Sequence, residues 1–275
     1  MHSTSPTPGP SDRPGQRAAD AICARARATG RPALVPYVTA GFPTLDALPG
    51  LLRALAPHAA VIEVGVPFSD PMADGVTIQQ SSRRALENGA TLDWILRTLH
   101  TLRDDGLPPI ALMSYLNPLL SSFGTGSSGL HTLAQRARDS GVSLLIVPDL
   151  PFEESAPLRA ALHAQGVGLV QLVSPVTPPE RARTLAQASD GFVYAVTVAG
   201  VTGAGAKGPD AGALHTSLDA LRAASPVPVC AGFGLRSREQ VSALAGHADG
   251  AIIGSALIDA LDKGQDPAAL LAQMA

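Results

Sequence analysis

Two carboxylates bracket one short stretch of this chain. Glu63 sits inside the apolar run Val61-Ile62-Glu63-Val64. Asp74 follows at the far end of a loop stiffened by Gly65, Pro67 and Pro71. The run reads as a buried strand. An unpaired carboxylate inside one is costly, so a chain rarely keeps it there without a use. Two acids delivered to one strand end can be driven to different pKa values and so divide acid and base roles. The same residues also fit a buried glutamate satisfied by hydroxyls, followed by turn-forming aspartates. The stretch alone does not separate the two.

The elements that must position these acids alternate along the chain. Strand-like runs fall at 33–39, 60–64, 109–114, 142–147, 168–173, 191–197, 227–231 and 250–253. Helix-period segments fall at 45–56, 91–103, 130–140, 153–165, 179–188, 211–224 and 238–245, and a last one at 256–261. The strands are apolar throughout, as strands buried on both faces are, and helices between them imply parallel pairing. Eight such units predict an α/β fold of the closed (β/α)₈ barrel (TIM barrel) type, in a single domain. A doubly wound open sheet is the alternative, but no G-x-G-x-x-G turn follows the first strand.

Barrels of this kind carry their sites at the strand C-terminal ends. Those ends hold Tyr37 and Thr39, Glu63 with Asp74, Tyr115 with Asn117, Asp149, and Tyr194 with Thr197. Tyr194 reads equally as a core aromatic and as a site residue. The last three strands lead into Gly200-Val-Thr-Gly203, Gly232-Phe-Gly234 and Gly254-Ser255. Glycines allow close approach to backbone N–H groups, and a helix N-terminus favours an anion. Glycines also simply make tight turns, yet three around one corner favour a phosphate cradle.

Absences narrow the chemistry. The two lysines, Lys207 and Lys263, lie off the strands, so a Schiff-base amine is not positioned. The seven histidines fall on the tail, helices or helix ends, which leaves a catalytic metal without strand-end ligands. What remains is carboxylate and phenol chemistry on a small phosphorylated substrate. With neither amine nor metal, any carbon–carbon cleavage needs an electron sink within the substrate.

Composition agrees. Of 275 residues 45% are hydrophobic and 16% charged, with a net charge of −3, which gives no sign of a nucleic-acid or anionic-membrane partner. No apolar run reaches the roughly 20 residues of a membrane helix. Cys23 and Cys230 form no disulfide framework, so a reducing cytoplasm is expected. Residues 1–15, rich in Ser, Thr, Pro and Gly, read as a disordered tail without the apolar core of a signal peptide, and 16–275 as the catalytic domain.

The run from Glu63 through Asp74 to Gly75 closely resembles the signature of the tryptophan synthase α subunit. Pro36-Tyr-Val-Thr39, Met113-Ser-Tyr-Leu-Asn-Pro118, Val147-Pro-Asp-Leu-Pro151, Gly200-Val-Thr-Gly203, Ala231-Gly-Phe-Gly234 and Ile253-Gly-Ser255 follow the family pattern in order, so that the resemblance covers roughly residues 17–265. It implies a barrel that cleaves indole-3-glycerol phosphate to indole and glyceraldehyde 3-phosphate. Indole then passes to a β subunit that holds pyridoxal phosphate; no cofactor or metal is implied in this chain. The implied roles are a proton shuttle at Glu63, an ionised acceptor of the indole N–H at Asp74, and Tyr194 beside the glutamate. Tyr37 and Tyr115 would shape the indole pocket. Gly203, Gly232, Gly234, Gly254 and Ser255 would hold phosphate, while Thr202 would close over the substrate as part of a lid that continues to Gly212. A raised pKa is expected for a buried Glu63, with Asp74 nearer solvent.

Two stretches depart from the family pattern. Leu119–Gly129 reads as an unusual loop in a region that, in the family, faces the β subunit. The lid after Gly203 lacks the arginine often found near its start. A stand-alone lyase releasing free indole, and a weakly active barrel that mainly activates a β-type partner, are the alternative readings.

Overall fold

The computed structural model describes residues 13–196, 211–232 and 234–275. Eight parallel strands close on themselves in sequence order: β1 (Ala33–Thr39), β2 (Ile62–Gly65), β3 (Ile110–Met113), β4 (Val142–Ile146), β5 (Gly168–Val173), β6 (Val193–Val196), β7 (Val229–Gly232) and β8 (Gly250–Ile253). Closure is made by β1 against β8, with Ala33 beside Gly250 and Pro36 beside Ile253. The expected (β/α)₈ architecture is therefore present.

Strand alternation divides the core into two layers. Leu34 and Val38 of β1, like Ile62 and Val64 of β2, face outward and pack with the surrounding helices. Val35 and Tyr37 face the barrel interior, where Val61, Ala111, Leu144, Phe192, Tyr194 and Ile252 also lie. Period-2 alternation from Val61 puts Glu63 on this inner side. Tyr37 is its register neighbour on β1 and Ala111 its neighbour on β3.

The helices form the outer ring. They are α1 (Gln16–Thr29), α2 (Ala47–Leu55), α3 (Val76–Glu87), α4 (Leu92–Leu102), α5 (Leu116–Phe123), α6 (Ser127–Asp139), α7 (Ala156–His163), α8 (Pro179–Ala188), α9 (Ala211–Ala224), α10 (Arg238–Ser242), α11 (Ser255–Asp262) and α12 (Pro267–Met274). Four of them, α1, α3, α5 and α12, were not expected from the apolar period. In α1 the buried side is Ala18, Ala19 and Ile22, and in α3 two of the four buried residues are Ser81 and Ser82. Small and hydroxyl side chains there bury against the barrel without an apolar stripe. Helix α1 lies against the N-terminal end of the barrel, its Ala18 and Ile22 joining the interior cluster.

Segment 119–129 is not a loop. It comprises most of α5, a turn, and the start of α6. Pro118 falls in the first turn of α5, where a missing N–H costs little. Gly124 ends the helix with φ of 88°. A side chain at Gly129 would collide with the Phe123 and Gly124 carbonyls, so glycine there permits the tight return between the two helices.

Candidate active site

Glu63 is completely buried, and neither carboxylate oxygen has a hydrogen-bond partner among the described residues. Burial first, and the Asp74 charge second, raise its pKa to about 8. It therefore rests protonated at neutral pH, as a proton donor must.

Asp74 arrives on the 66–75 loop, which Tyr115 holds inward. The Ala73 N–H donates to Tyr115 Oη at 2.8 Å, and Tyr115 Oη donates to Asp74 Oδ2 at 3.0 Å. Gln79 Nε2 donates to the Asp74 carbonyl at 2.9 Å, and the Phe68 and Tyr115 rings lie 5.1 Å apart. The expectation of a solvent-near Asp74 is corrected by this geometry: the residue is 8% exposed. Burial raises its pKa to about 6 while the Tyr115 hydrogen bond holds it down. The order of the two acids is nevertheless the expected one, with Asp74 ionised where Glu63 is neutral.

Tyr37 and Tyr194 are both buried. Desolvation and then the nearby carboxylates push their phenols well above the ordinary range, so both remain hydrogen-bond donors. Tyr37 needs Gly65 beside it, since any side chain at 65 would overlap its hydroxyl. Thr39 Oγ1 donates to Tyr37 Oη at 3.4 Å and lies 2.7 Å from Ser81 Oγ. Gly232 has a similar reason for being glycine: a Cβ would stand 2.8 Å from the Tyr194 ring.

One small cavity of about 40 Å³ gathers Tyr37, Glu63, Asp74, Tyr194, Gly234, Gly254 and Ser255. Ile78, Met113 and Ile252 complete its apolar wall. A second cavity, which shares Tyr37 and Asp74 with the first, adds Tyr115, Phe68 and Gly65. Gly254 caps α11 without a side-chain bond, and no acidic residue lies in that helix's first turn. Gly234 adopts φ of 85°, with open space where a side chain would be. The corner so formed offers main-chain donors and a positive helix end to an anion. Thr197, Thr202 and Gly203 lie outside the described residues.

Two other strand-end candidates make local hydrogen bonds. Asp149 Oδ1 accepts the Leu116 N–H at the start of α5, and Asn117 Oδ1 accepts the Ser121 hydroxyl. Ile78, Met113 and Ile252 went unnoticed because an apolar side chain in a pocket has the same sequence signal as one in the core. Gly65 could have been suspected, since it ends a strand next to a tyrosine-bearing one.

The fold and this geometry define a (β/α)₈ barrel whose strand ends present two carboxylates of unequal acidity beside an uncapped helix end. Residues 23–275 match the family model described as "Tryptophan synthase alpha chain". The tryptophan synthase alpha chain of Xylella fastidiosa (strain M12) is 44% identical over 244 residues, 88% of each chain. That of Xanthomonas euvesicatoria pv. vesicatoria (strain 85-10) is 43% identical over 252 residues, 90% of this chain and 91% of the other. Among solved structures, a chain of Mycobacterium tuberculosis tryptophan synthase superposes with a TM-score of 0.83 at 34% identity, covering 94% of this chain and 96% of that one. Tryptophan synthase subunit alpha from Legionella pneumophila str. Paris gives 0.79 at 31%, covering 94% and 97%. The chain belongs to the tryptophan synthase alpha chain family, lyases that cleave indole-3-glycerol phosphate in tryptophan biosynthesis.

Proposed function

We propose that Glu63 and Asp74 carry a retro-aldol cleavage of indole-3-glycerol phosphate to indole and glyceraldehyde 3-phosphate. The observation that carries this reading is a fully buried glutamate with both oxygens unpartnered among the described residues, adjacent to a second, more acidic carboxylate. Neutral Glu63 donates its proton to indole C3. Ionised Asp74 accepts the indole N–H and stabilises the positive charge that develops on the ring. Glu63, now a carboxylate, takes the proton of the glycerol hydroxyl next to C3. The carbonyl forms, the carbon–carbon bond breaks, and its electron pair returns to the ring.

Gly234, Gly254 and Ser255 hold the phosphate through main-chain N–H groups, together with Gly232 and Gly203. Tyr37, Tyr115 and Tyr194 wall the indole and glycerol portions, and Thr202 contributes to closure. The electron sink is the indole ring itself, so this chain needs no cofactor of its own; pyridoxal phosphate belongs to the β subunit.

The partner in this reading is a tryptophan synthase β subunit, in an α₂β₂ heterotetramer in the cytoplasm. Met72 after β2 and Val176 after β5 support a docking face at the strand C-terminal ends, being 83% and 76% exposed. Among the described residues no helix is long and apolar enough to cross a membrane.

Steady-state indole release from indole-3-glycerol phosphate, with and without a β subunit, tests the proposal. A rate that rises many-fold on adding β is expected. Absence of turnover in both conditions overturns the catalytic reading, and fast turnover unmoved by β overturns the assembly.

A further inference from the structure

Strand β5 carries one polar residue in the apolar run Gly168-Leu-Val-Gln-Leu-Val173. Its neighbours two places away, Leu169 and Val173, belong to the outer layer of the core, so Gln171 points toward the helices and not into the barrel. There it lines a cavity of about 180 Å³ between the C-terminal ends of β4 and β5, the short turn Phe152–Glu154 and α8. Val147, Phe152, Leu169 and Leu185 supply apolar wall. No residue that lines either carboxylate cavity lines this one. We propose that the cavity is a second ligand site, which takes a small neutral molecule with an apolar, ring-sized body and an amide-type edge that pairs with the Gln171 carboxamide.

That carboxamide is the group left over. Gln171 is 6% exposed, and its side chain makes no hydrogen bond among the described residues. Its main-chain N–H goes to Ser189 Oγ at 2.9 Å, and that hydroxyl donates onward to the Phe192 carbonyl. The other polar side chains on the cavity wall are committed. Ser155 Oγ donates to the Phe152 carbonyl at 2.7 Å, and Thr177 Oγ1 lies 3.1 Å from both the N and the Oγ of Ser174. Arg181 pairs with both oxygens of Glu153, at 2.6 and 3.0 Å. Unlike the sealed oxygens of Glu63, the Gln171 amide still meets open space, and that space is the cavity. An amide with nothing to bond costs more here than the leucine or valine that its neighbours exemplify. A molecule offering a donor and an acceptor side by side removes that cost.

Charge and size narrow the class. Arg181 is the one charged residue on the wall, and Glu153 neutralises it, so neither an anion nor a cation is favoured. The volume matches that of roughly six waters, enough for a single ring and too little for a nucleotide.

The test is titration calorimetry of benzamide into the whole chain. Benzamide should bind with a Kd of about 0.1–5 mM, the range open to a one-ring ligand. Acetophenone, which lacks the donor, and benzoate, which is charged, should bind more weakly. Gln171→Leu keeps the wall apolar and should release indole at the wild-type rate, yet bind benzamide roughly five- to a hundredfold more weakly. Benzamide can also enter the carboxylate cavity, where it would raise KM for indole-3-glycerol phosphate, so KM is measured alongside. Equal affinity in the two proteins, or a rise in KM that alone accounts for the binding, overturns the proposal. Absence of binding at tens of millimolar, which leaves a water-filled cleft only, does so too. Acetophenone or benzoate binding as tightly as benzamide overturns the amide class. Should Gln171→Leu fail to fold, wild-type crystals soaked in para-bromobenzamide decide. Bromine density beside Gln171 supports the site, and density only at the carboxylates, or none, overturns it.

Discussion

Tyr115 and Asp74 are joined by a directional hydrogen bond. Because Tyr115 Oη already accepts the Ala73 N–H, its own proton is free to go to Asp74 Oδ2 at 3.0 Å. That bond opposes the effect of burial on the Asp74 carboxyl. Tyr115→Phe removes it, so the Asp74 pKa should move upward from about 6. If Asp74 works ionised, the acid limb of the pH–rate profile moves up with it, and kcat near pH 6 falls roughly tenfold, the size of one charge-assisted hydrogen bond. An acid limb that stays in place in Tyr115→Phe would show that Asp74 is not held this way.

Glu63→Gln removes the proton shuttle and should lower kcat by about 10²–10⁴-fold. Single-turnover indole formation measures this directly, and a variant within twofold of wild type ends the assignment.

The same substitution has a stability signature. The Glu63 carboxyl is raised from 4.5 unfolded to about 8 folded. The folded state therefore binds the proton more tightly. Its contribution is fully present below pH 4.5 and is lost as pH rises through about 8. Wild type should lose stability across that window, on the order of a few kcal/mol, where Glu63→Gln does not. Urea unfolding at pH 5 and pH 9 should thus show the variant gaining on wild type at the higher pH. Parallel curves would mean that Glu63 is not titrating in the folded chain.

At the phosphate corner, Ser255→Glu places a carboxylate in the first turn of α11. Repulsion should raise KM for indole-3-glycerol phosphate more than tenfold with a smaller change in kcat, and should abolish competitive inhibition by inorganic phosphate. An unchanged KM would locate the phosphate elsewhere.

Gly65→Ala would drive a methyl into the Tyr37 hydroxyl. Overpacking of this kind costs about 1–3 kcal/mol. Tyr37→Val in the same chain should recover part of that loss. Additive effects in the double variant would show that the two side chains do not compete for the space.

Much of this was legible in the chain because barrel strands are buried on both faces. Runs such as Ile110–Met113 announce themselves by continuous apolarity, and the buried Glu63 stands out against one. The signal fails where burial is achieved by small or polar residues. Helix α3 buries Ser81 and Ser82, so it shows no apolar stripe. Segment 119–129 looked like a loop because Ser and Gly dominate it, yet Gly129 serves a close approach within a helical turn. The burial of Asp74 was equally hidden, since it depends on a hydroxyl from a strand end far away in sequence.

The pairing of β1 with β8 sets a condition on how the molecule is made. Ala33 meets Gly250 only after nearly all of the chain has left the ribosome. Until then β1 carries an open hydrogen-bonding edge, and the interior that buries Glu63 stays incomplete. Fragments ending before β8 are thus left with two adhesive margins and a gap. For this protein, synthesis must run to its last strand before the ring can shut, and a prematurely stopped chain becomes a candidate for aggregation and proteolysis in place of a partial enzyme.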